Sequence, residues 1–328
     1  MLIELILSKI KEVFMIEPKA CSYEMFPKSL DSPSGMRIIN EDKKAWSHAL
    51  LHDVEYCKRD GVSLHLHILK PRFSHDAENE NIPCIVYIKG SAFHKQNTYI
   101  NLCDLTILAR KGYAVVSVEY RPSEVAPFPA QLVDAKTAVR FIRKYASDYN
   151  IDPNRIVLFG DSSGGHTALM AGITNGIEEL DTTVYNEFET RVSAIIDYYG
   201  PTDFTKMNDV PSTQDHRSPE SPEGMLLGKK DVMEHIEEAK KASPITYLSK
   251  ERDIPPILIF HGNKDRLVPF NQSVILYDAL KSMDKKVEFY CLDEADHGGP
   301  VFWTDEILTI MDEFIQESFH AEKLKNRL

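Results

Sequence analysis

The chain has 328 residues, of which 43% are hydrophobic and 27% are charged, and its formal net charge is −12. This composition is typical of a soluble globular protein and argues against a disordered or low-complexity chain. Because nucleic acids and anionic membrane surfaces attract clustered Lys and Arg, the negative charge disfavours both as partners.

Residues 1–50 are expected to form an extension before the main domain. Apolar residues near the start recur at spacings of three and four positions, as in an amphipathic helix that docks on the body or pairs two copies as a homodimer. No basic leader region or small-residue cleavage site accompanies them, and no run of about 18 apolar residues occurs, so neither a signal peptide nor a membrane span is expected. The apolar positions are Ile3, Ile6, Ile10 and Val13.

From residue 62 onward, short β-rich runs alternate with helical patterns. This alternation predicts an α/β fold, in which a mostly parallel, twisted sheet carries helices on both faces. Several of the runs are continuously apolar, as expected of strands buried on both sides. The predicted strands are 62–69, 85–89, 114–119, 156–159, 193–199, 257–261 and 287–292, and the predicted helices are 99–110, 132–146, 271–283 and 304–318.

The segment 201–244 interrupts the alternation between the fifth and sixth predicted strands. It is polar, rich in Pro, Ser and Asp, and carries one short helical pattern at 231–241. Long insertions between sheet strands are commonly functional, as lids or substrate-binding loops. We therefore interpret 201–244 as a small cap inserted in a main domain that spans 51–328.

The pentapeptide GDSSG at 160–164 fits the pattern GxSxG. It lies between an apolar strand and a helix rich in small residues, which is the context of a nucleophile elbow, a sharp turn that exposes a serine at the sheet edge. The alternative is a phosphate-binding loop, but neither GxGxxG nor a P-loop lysine is present. Ser162 is therefore the candidate nucleophile.

A nucleophilic serine needs a base and an orienting acid, which follow it in the order Asp or Glu, then His. Asp265 follows the sixth predicted strand and His297 follows the seventh, so both would lie at the same sheet edge as Ser162. Asp203 follows the fifth strand and competes for the role of the acid. We favour Asp265, because a strand-end aspartate such as Asp203 is often a turn former.

An oxyanion hole needs backbone N–H groups from the residue after the nucleophile and from the loop after an early strand. Ser163 is the residue after the nucleophile. The second predicted strand is followed by the sequence KGSAF at 89–93, whose backbone amides at Ser91 and Ala92 could serve. An ordinary strand-end loop is the alternative interpretation of that segment.

Together these segments resemble the carboxylesterase and lipase branch of the α/β-hydrolase superfamily, close to the small acetyl-xylan and feruloyl esterases and the hormone-sensitive-lipase group. The resemblance runs from about residue 62 to the end, and it implies an α/β-hydrolase fold, Ser162, Asp265 and His297 as catalytic triad, and no cofactor. One departure is KGSA at 89–92 in place of the family's HGGG-type loop, which keeps the backbone donors but restricts backbone φ through the loss of glycine. The matching positions are 119–121, 129–131, 134–135, 152–156, 160–166, 261–265, 268–269 and 296–298.

The resulting hypothesis is a serine esterase that acts on short-chain acyl or carbohydrate-linked esters. An amidase, formamidase or peptidase with the same triad is one alternative, and a non-catalytic binding protein that retains the fold is another. No HExxH motif or Cys/His cluster with metal-ligand spacing occurs, so no metal is expected. The five cysteines lack CxxC spacing and indicate reduced thiols, hence a cytoplasmic location.

Overall fold

The computed structural model describes residues 17–40, 46–73 and 81–325. The chain divides into two compact units, Met1–Asp42 and Lys43–Leu328. The predicted N-terminal amphipathic helix lies outside the described residues. Strand β1 already begins at Trp46, so the domain boundary expected at residue 50 falls inside a strand.

The second unit is built on eight strands and seven α-helices among the residues that the structure describes. The strands are β1 (Trp46–Arg59), β2 (Val62–Phe73), β3 (Ile82–Ile88), β4 (Ala114–Val118), β5 (Ile151–Asp161), β6 (Ala194–Tyr198), β7 (Ile257–Gly262) and β8 (Val287–Leu292). The helices are α1 (Leu102–Arg110), α2 (Ala130–Lys144), α3 (Ser163–Ile173), α4 (Pro222–Leu226), α5 (Ile236–Lys241), α6 (Asn271–Ser282) and α7 (Asp305–Lys325).

All eight strands form one sheet in the order β1-β2-β4-β3-β5-β6-β7-β8. The pairs from β4 through β8 are parallel, whereas β1 with β2 and β2 with β4 are antiparallel. The predicted mostly parallel sheet is confirmed. Because the carboxyl ends of parallel strands share one edge, the loops after β3, β5, β7 and β8 converge there.

Helices cover both faces of the sheet, as predicted. Consecutive residues of β5 alternate between the two sides, since Leu158 belongs to the core beneath α2, α3 and α6, and Phe159 belongs to the core beneath α1 and α7. Burial on both faces explains why the central strands are continuously apolar in sequence. None of the helices in the described part of the chain has the length and apolar character that crossing a membrane requires.

The segment 201–244 contains α4, α5 and short 3-10 turns between β6 and β7. It packs around a third, smaller apolar cluster, the satellite core, which joins the segment to Phe93 in the loop after β3. Satellite clusters of this kind are common beneath long loops. The satellite core consists of Phe93, Phe204, Leu226, Leu227, Val232, Ala239 and Ala242.

Candidate active site

Ser162 occupies the turn between β5 and α3 with a strained backbone. Its φ and ψ are 54° and −127°, and a non-glycine residue adopts such a conformation rarely and at an energetic cost. The turn is fixed from below, because the Ser162 amide donates to the carbonyl oxygen of Tyr198 in β6 at 2.8 Å. This is the geometry that the GxSxG context predicts.

The glycines of the motif are required by close backbone contacts. A Cβ atom at Gly160 would lie 2.2 Å from the carbonyl oxygen of Gly164, and one at Gly164 would lie 1.9 Å from the carbonyl oxygen of Ile88. Real Cβ atoms do not approach backbone this closely. The small residues therefore allow α3 to start directly against β3 and β5, which brings Ser162 to the edge of the sheet.

The structure brings the three residues predicted as a triad together. His297 Nε2 lies 3.0 Å from Ser162 Oγ, and His297 Nδ1 lies 2.7 Å from Asp265 Oδ2. Asp265 follows β7 and His297 follows β8, so neighbouring parallel strands deliver both side chains to the edge where Ser162 stands. The spacing fits a nucleophile, a base and an orienting acid.

The Asp265 carboxylate is fully buried and has four hydrogen-bonding neighbours. Oδ1 accepts from the amides of Leu267 and Val268 at 2.8 and 2.9 Å, and Oδ2 faces His261 Nε2 at 3.1 Å in addition to His297. Burial raises the pKa of Asp265, but the hydrogen bonds with His261 and His297 outweigh it and lower the pKa below its ordinary value. The carboxylate is therefore ionised at neutral pH.

Two features of this arrangement bear on the sequence-based choices. Asp203, the rival acid, is engaged in a local turn, where its Oδ1 accepts from the amide and the hydroxyl of Thr205 at 3.0 and 2.6 Å. His261, at the end of β7, contacts Asp265 directly, although the sequence argument gave it no role in the site. The signal that could have identified His261 is its four-residue spacing from Asp265 at the end of a buried strand.

The loop after β3, Lys89–Phe93, lies next to the nucleophile elbow. One of its two amides expected to be free for an oxyanion is already hydrogen-bonded. The Ser91 amide donates to Ser163 Oγ at 2.9 Å, so it is already occupied. The amides of Ala92 and Ser163 have no hydrogen-bond partner among the described residues, which leaves two of the three expected donors free. The Ser163 hydroxyl, which the sequence argument did not consider, is the reason for the difference.

Ala92 and Phe93 have φ values of 52° and 62°, in the left-handed region that favours glycine. The loop therefore keeps a glycine-like backbone without glycine residues at these two positions. Phe93 is 1% exposed and lies in the satellite core, where its ring contacts Phe204 at a centroid distance of 6.2 Å. Side-chain packing thus supports the conformation that glycine would adopt freely.

Asp161, directly before the serine, ties this loop to the elbow. Its Oδ1 accepts from the Gly90 amide at 2.9 Å and from Tyr87 Oη at 2.7 Å, and its Oδ2 accepts from Lys89 Nζ at 2.6 Å. The sequence argument missed this network. The available signal was an acidic residue inside the GxSxG motif together with a lysine at the start of the second loop.

A cavity of about 730 Å³ opens beside Ser162 and His297. Its wall is mixed, with Asn101 and Asp104 at the start of α1, and Trp303 and Leu267 as apolar groups. Among the described residues that line it, none belongs to 201–244. Within the described ranges, no group of three or more His, Cys, Asp and Glu side chains could hold a metal ion.

Comparisons with known proteins agree with this architecture. The BD-FAE family model matches residues 72–280. A solved structure described as a truncated form of a carbohydrate esterase from gut microbiota superposes with a TM-score of 0.74 at 30% identity, covering 86% of this chain and 99% of that one.

Two curated relatives come from Mycobacterium tuberculosis. The probable carboxylic ester hydrolase LipM is 30% identical over 183 residues, which are 56% of this chain and 41% of LipM. Esterase LipC is 26% identical over 230 residues, which are 68% of this chain and 54% of LipC. The chain spans about half the length of the curated relatives it matches.

The family match covers more than half of the chain and includes the elbow, the loop after β3 and the acid. The eight-stranded, mostly parallel sheet is consistent with the fold of the superposed carbohydrate esterase. The chain therefore belongs to the BD-FAE family, in the carboxylesterase and lipase branch of the α/β-hydrolases.

Proposed function

We propose that this chain is a serine hydrolase that cleaves carboxylic esters through an acyl-enzyme. The observation that carries the proposal is the continuous chain of contacts from Ser162 Oγ through His297 to Asp265, with the serine in a strained elbow. A serine hydroxyl is a weak nucleophile unless a base lies within hydrogen-bonding distance. The curated esterase relatives support the choice of an ester as the bond.

In the first step, Ser162 Oγ attacks the ester carbonyl carbon and His297 Nε2 accepts the hydroxyl proton. Asp265 holds His297 with Nδ1 protonated, which leaves the Nε2 lone pair free to act as the base, and it stabilises the imidazolium that forms. The lowered pKa of Asp265 keeps it an acceptor throughout. The tetrahedral intermediate then collapses as His297 returns the proton to the leaving alcohol.

In the second step, water attacks the acyl-enzyme and His297 again acts as the base, which releases the acid and regenerates Ser162. In both steps a negative charge develops on the carbonyl oxygen. We assign its stabilisation to the amides of Ala92 and Ser163, because the Ser91 amide is already bonded to the Ser163 hydroxyl.

The substrates we propose are short-chain acyl esters, including esters attached to carbohydrates. The cavity supports this choice because its lining includes the hydrogen-bonding groups of Asn101 and Asp104 as well as the aromatic side chain of Trp303. Polar groups next to an aromatic surface suit a leaving group that carries several hydroxyls. The superposed carbohydrate esterase gives independent support.

The test is hydrolysis of p-nitrophenyl esters from acetate to laurate, beside Ser162→Ala and a p-nitroanilide of the best acyl group. We expect turnover of the short esters and a loss of at least about 10⁴-fold in kcat in the variant. An acetylated xylo-oligosaccharide then tests the carbohydrate assignment. Absence of turnover with every ester would refute the proposal, and faster cleavage of the anilide would replace it with an amidase.

Location and assembly are further proposals. We propose a cytoplasmic protein, because all five cysteines are free and Cys21, Cys103 and Cys291 are exposed thiols. We also propose a homodimer paired through the N-terminal segment. Cell fractionation tests the location, and sedimentation of the full chain beside a variant that lacks residues 1–16 tests the dimer, which should dissociate in the variant.

A further inference from the structure

The segment 201–244 forms hydrogen bonds with the backbone carbonyl oxygens of residues 265–268, which we call the acid loop. Ser212 Oγ donates to the carbonyl oxygen of Leu267 at 2.8 Å, and the Thr213 amide donates to that of Arg266 at 2.8 Å. His216 Nε2 lies 2.8 Å from the same Leu267 oxygen. The segment that lines no part of the cavity therefore holds the loop that carries Asp265.

His216 forms a buried pair with Glu223 inside the segment, and each side chain is 2% exposed. His216 Nδ1 lies 3.0 Å from Glu223 Oε2, whereas Nε2 faces the Leu267 carbonyl oxygen and also lies 3.2 Å from Ser212 Oγ, so the two ring nitrogens face different acceptors. A neutral imidazole has only one N–H group, whereas the imidazolium donates from both nitrogens. With Glu223 Oε2 and the Leu267 carbonyl oxygen as acceptors, the geometry is thus satisfied at both nitrogens by the charged form of His216.

The charges around His216 favour that form. Burial lowers the pKa of His216, but the hydrogen bond and charge of Glu223, with smaller contributions from the Leu267 carbonyl and Asp215, outweigh it and raise the pKa above its ordinary value. On the acid loop, the group that meets His216 is a carbonyl oxygen, and the Arg266 side chain is engaged with Asp296 at 2.7 Å.

The contact between His216 and the acid loop reaches the catalytic acid through one residue. The carbonyl oxygen of Leu267 is held by His216, while the amide of Leu267 donates to Asp265 Oδ1 at 2.8 Å. Displacement of Leu267 would move a hydrogen bond that orients the Asp265 carboxylate. That carboxylate in turn orients His297. The position of the proposed base therefore depends on the contact between His216 and Leu267.

We propose that His216, held by Glu223, is a positioning residue that fixes the acid loop and thereby Asp265 for catalysis. The proposal rests on the ester hydrolysis proposed above. In this proposal the segment 201–244 supports the loop that carries Asp265, which is a different role from a cap over the substrate.

The hydrogen bonds of His216 with Glu223 and Leu267 depend on pH. Because the pKa of His216 is raised in the folded protein, its stabilising contribution is complete below its ordinary pKa and is lost as the pH rises through the folded value. After deprotonation one N–H group remains, so the bond to either Glu223 or Leu267 is lost. We therefore expect kcat to decline on the alkaline side of that folded pKa.

Two substitutions separate positioning from general stability. In His216→Gln both N–H groups lie on one nitrogen, so the side chain cannot donate at both positions. The variant should lower kcat by about tenfold to 100-fold with KM changed less than about threefold, because a small displacement of catalytic groups reduces the rate more than binding. In Glu223→Gln the amide can donate to Nδ1, so a neutral His216 can keep its bond to Leu267. This variant should lack the alkaline decline in kcat.

Ser221→Ala is the matched control within the same segment. Ser221 Oγ accepts from the Gly224 amide at 3.0 Å and caps α4, and it has no contact with the acid loop among the described residues. If Ser221→Ala lowers kcat as much as His216→Gln at an equal loss of melting temperature, the proposal is wrong. A wild-type alkaline decline that persists unchanged in Glu223→Gln would also overturn it.

Hydrogen–deuterium exchange at the Leu267 and Val268 amides provides a readout that does not need turnover. His216→Gln should accelerate their exchange at least tenfold, and Ser221→Ala should leave it unchanged. If the wild-type protein hydrolyses no ester, the proposed function fails while this exchange still reports whether His216 holds the loop. Unchanged exchange in His216→Gln would refute the claim that His216 holds the acid loop.

Discussion

The loops on the two sides of Ser162 are held in different ways: those after β7 and β8 lie on one side, and the loop after β3 lies on the other. On one side, the acid loop and His297 act through side-chain atoms, with a buried carboxylate at the centre. On the other side, the loop Lys89–Phe93 offers backbone amides, and its shape depends on Asp161 and on the packing of Phe93. The residue types in the sequence indicate a site built from side chains. A site built from backbone amides depends on the conformation of the loop, which the sequence does not show directly.

The largest effect is expected on the side-chain half, from Asp265→Asn. The asparagine oxygen can still accept from the Leu267 and Val268 amides, which directs its NH₂ group at His297 Nδ1 and imposes the wrong tautomer. We expect kcat for p-nitrophenyl acetate to fall by about 10³-fold to 10⁴-fold with little loss of thermal stability.

Asp203→Asn is the matched control, because Asp203 was the rival acid and its side chain makes only local turn contacts among the described residues. Its kcat should stay within about threefold of the wild type. Comparable losses in the two variants would contradict the assignment of Asp265.

A smaller effect is expected on the backbone half, from Asp161→Asn. The amide group would oppose the Lys89 ammonium, donor against donor, and loosen the loop that presents Ala92. Since removal of a single oxyanion donor costs about 10²-fold to 10³-fold in kcat, a displaced loop should cost about tenfold to 100-fold. Steady-state kinetics check this, and an unchanged kcat would mean that Phe93 alone holds the loop.

The smallest effect on activity is expected from Asp197, which is fully buried in β6 and should instead affect stability. Burial raises its pKa to about 7, although the Gly200 amide donates to Oδ1 at 3.0 Å. The folded state therefore binds the proton more tightly than the unfolded state, and stability falls as the pH rises from the ordinary value of 3.8 towards 7.

Asp197→Asn should remove that dependence. Its stability relative to the wild type should increase by on the order of 1 kcal/mol per pH unit across this window. Melting temperatures of both proteins at pH 5 and pH 8 measure the difference, and parallel curves would show that Asp197 does not titrate there.

The sheet and the triad contacts could be predicted because both follow from residue type and order. Buried strands are continuously apolar, and a nucleophile, acid and base placed after strands of one parallel sheet must meet at one edge. Strand β1 was missed because it is an edge strand with few buried residues. The turn Asp60-Gly61, with φ values of 48° and 76°, was a hairpin signal that the sequence contained.

The contacts of 201–244 could not be predicted from its own composition. Its length and polarity indicated an insertion, but its partners Phe93 and Leu267 lie far away in the chain. The occupied Ser91 amide could not be predicted for a similar reason, since it donates to the hydroxyl of Ser163 at the start of α3, 72 residues later in the chain. Long-range pairings of this kind depend on the assembled fold.

The satellite core has a consequence for the order in which activity is acquired during synthesis. Phe93 follows directly after Ala92, yet most of the side chains that pack around it come from residues more than 100 positions later. A growing chain can therefore complete β3, β5 and the elbow before these partners leave the ribosome. The Ala92 amide, which we propose as an oxyanion donor, acquires the packing of Phe93 only afterwards, so the turn that carries Ser162 can form before the loop Lys89–Phe93 is fully supported.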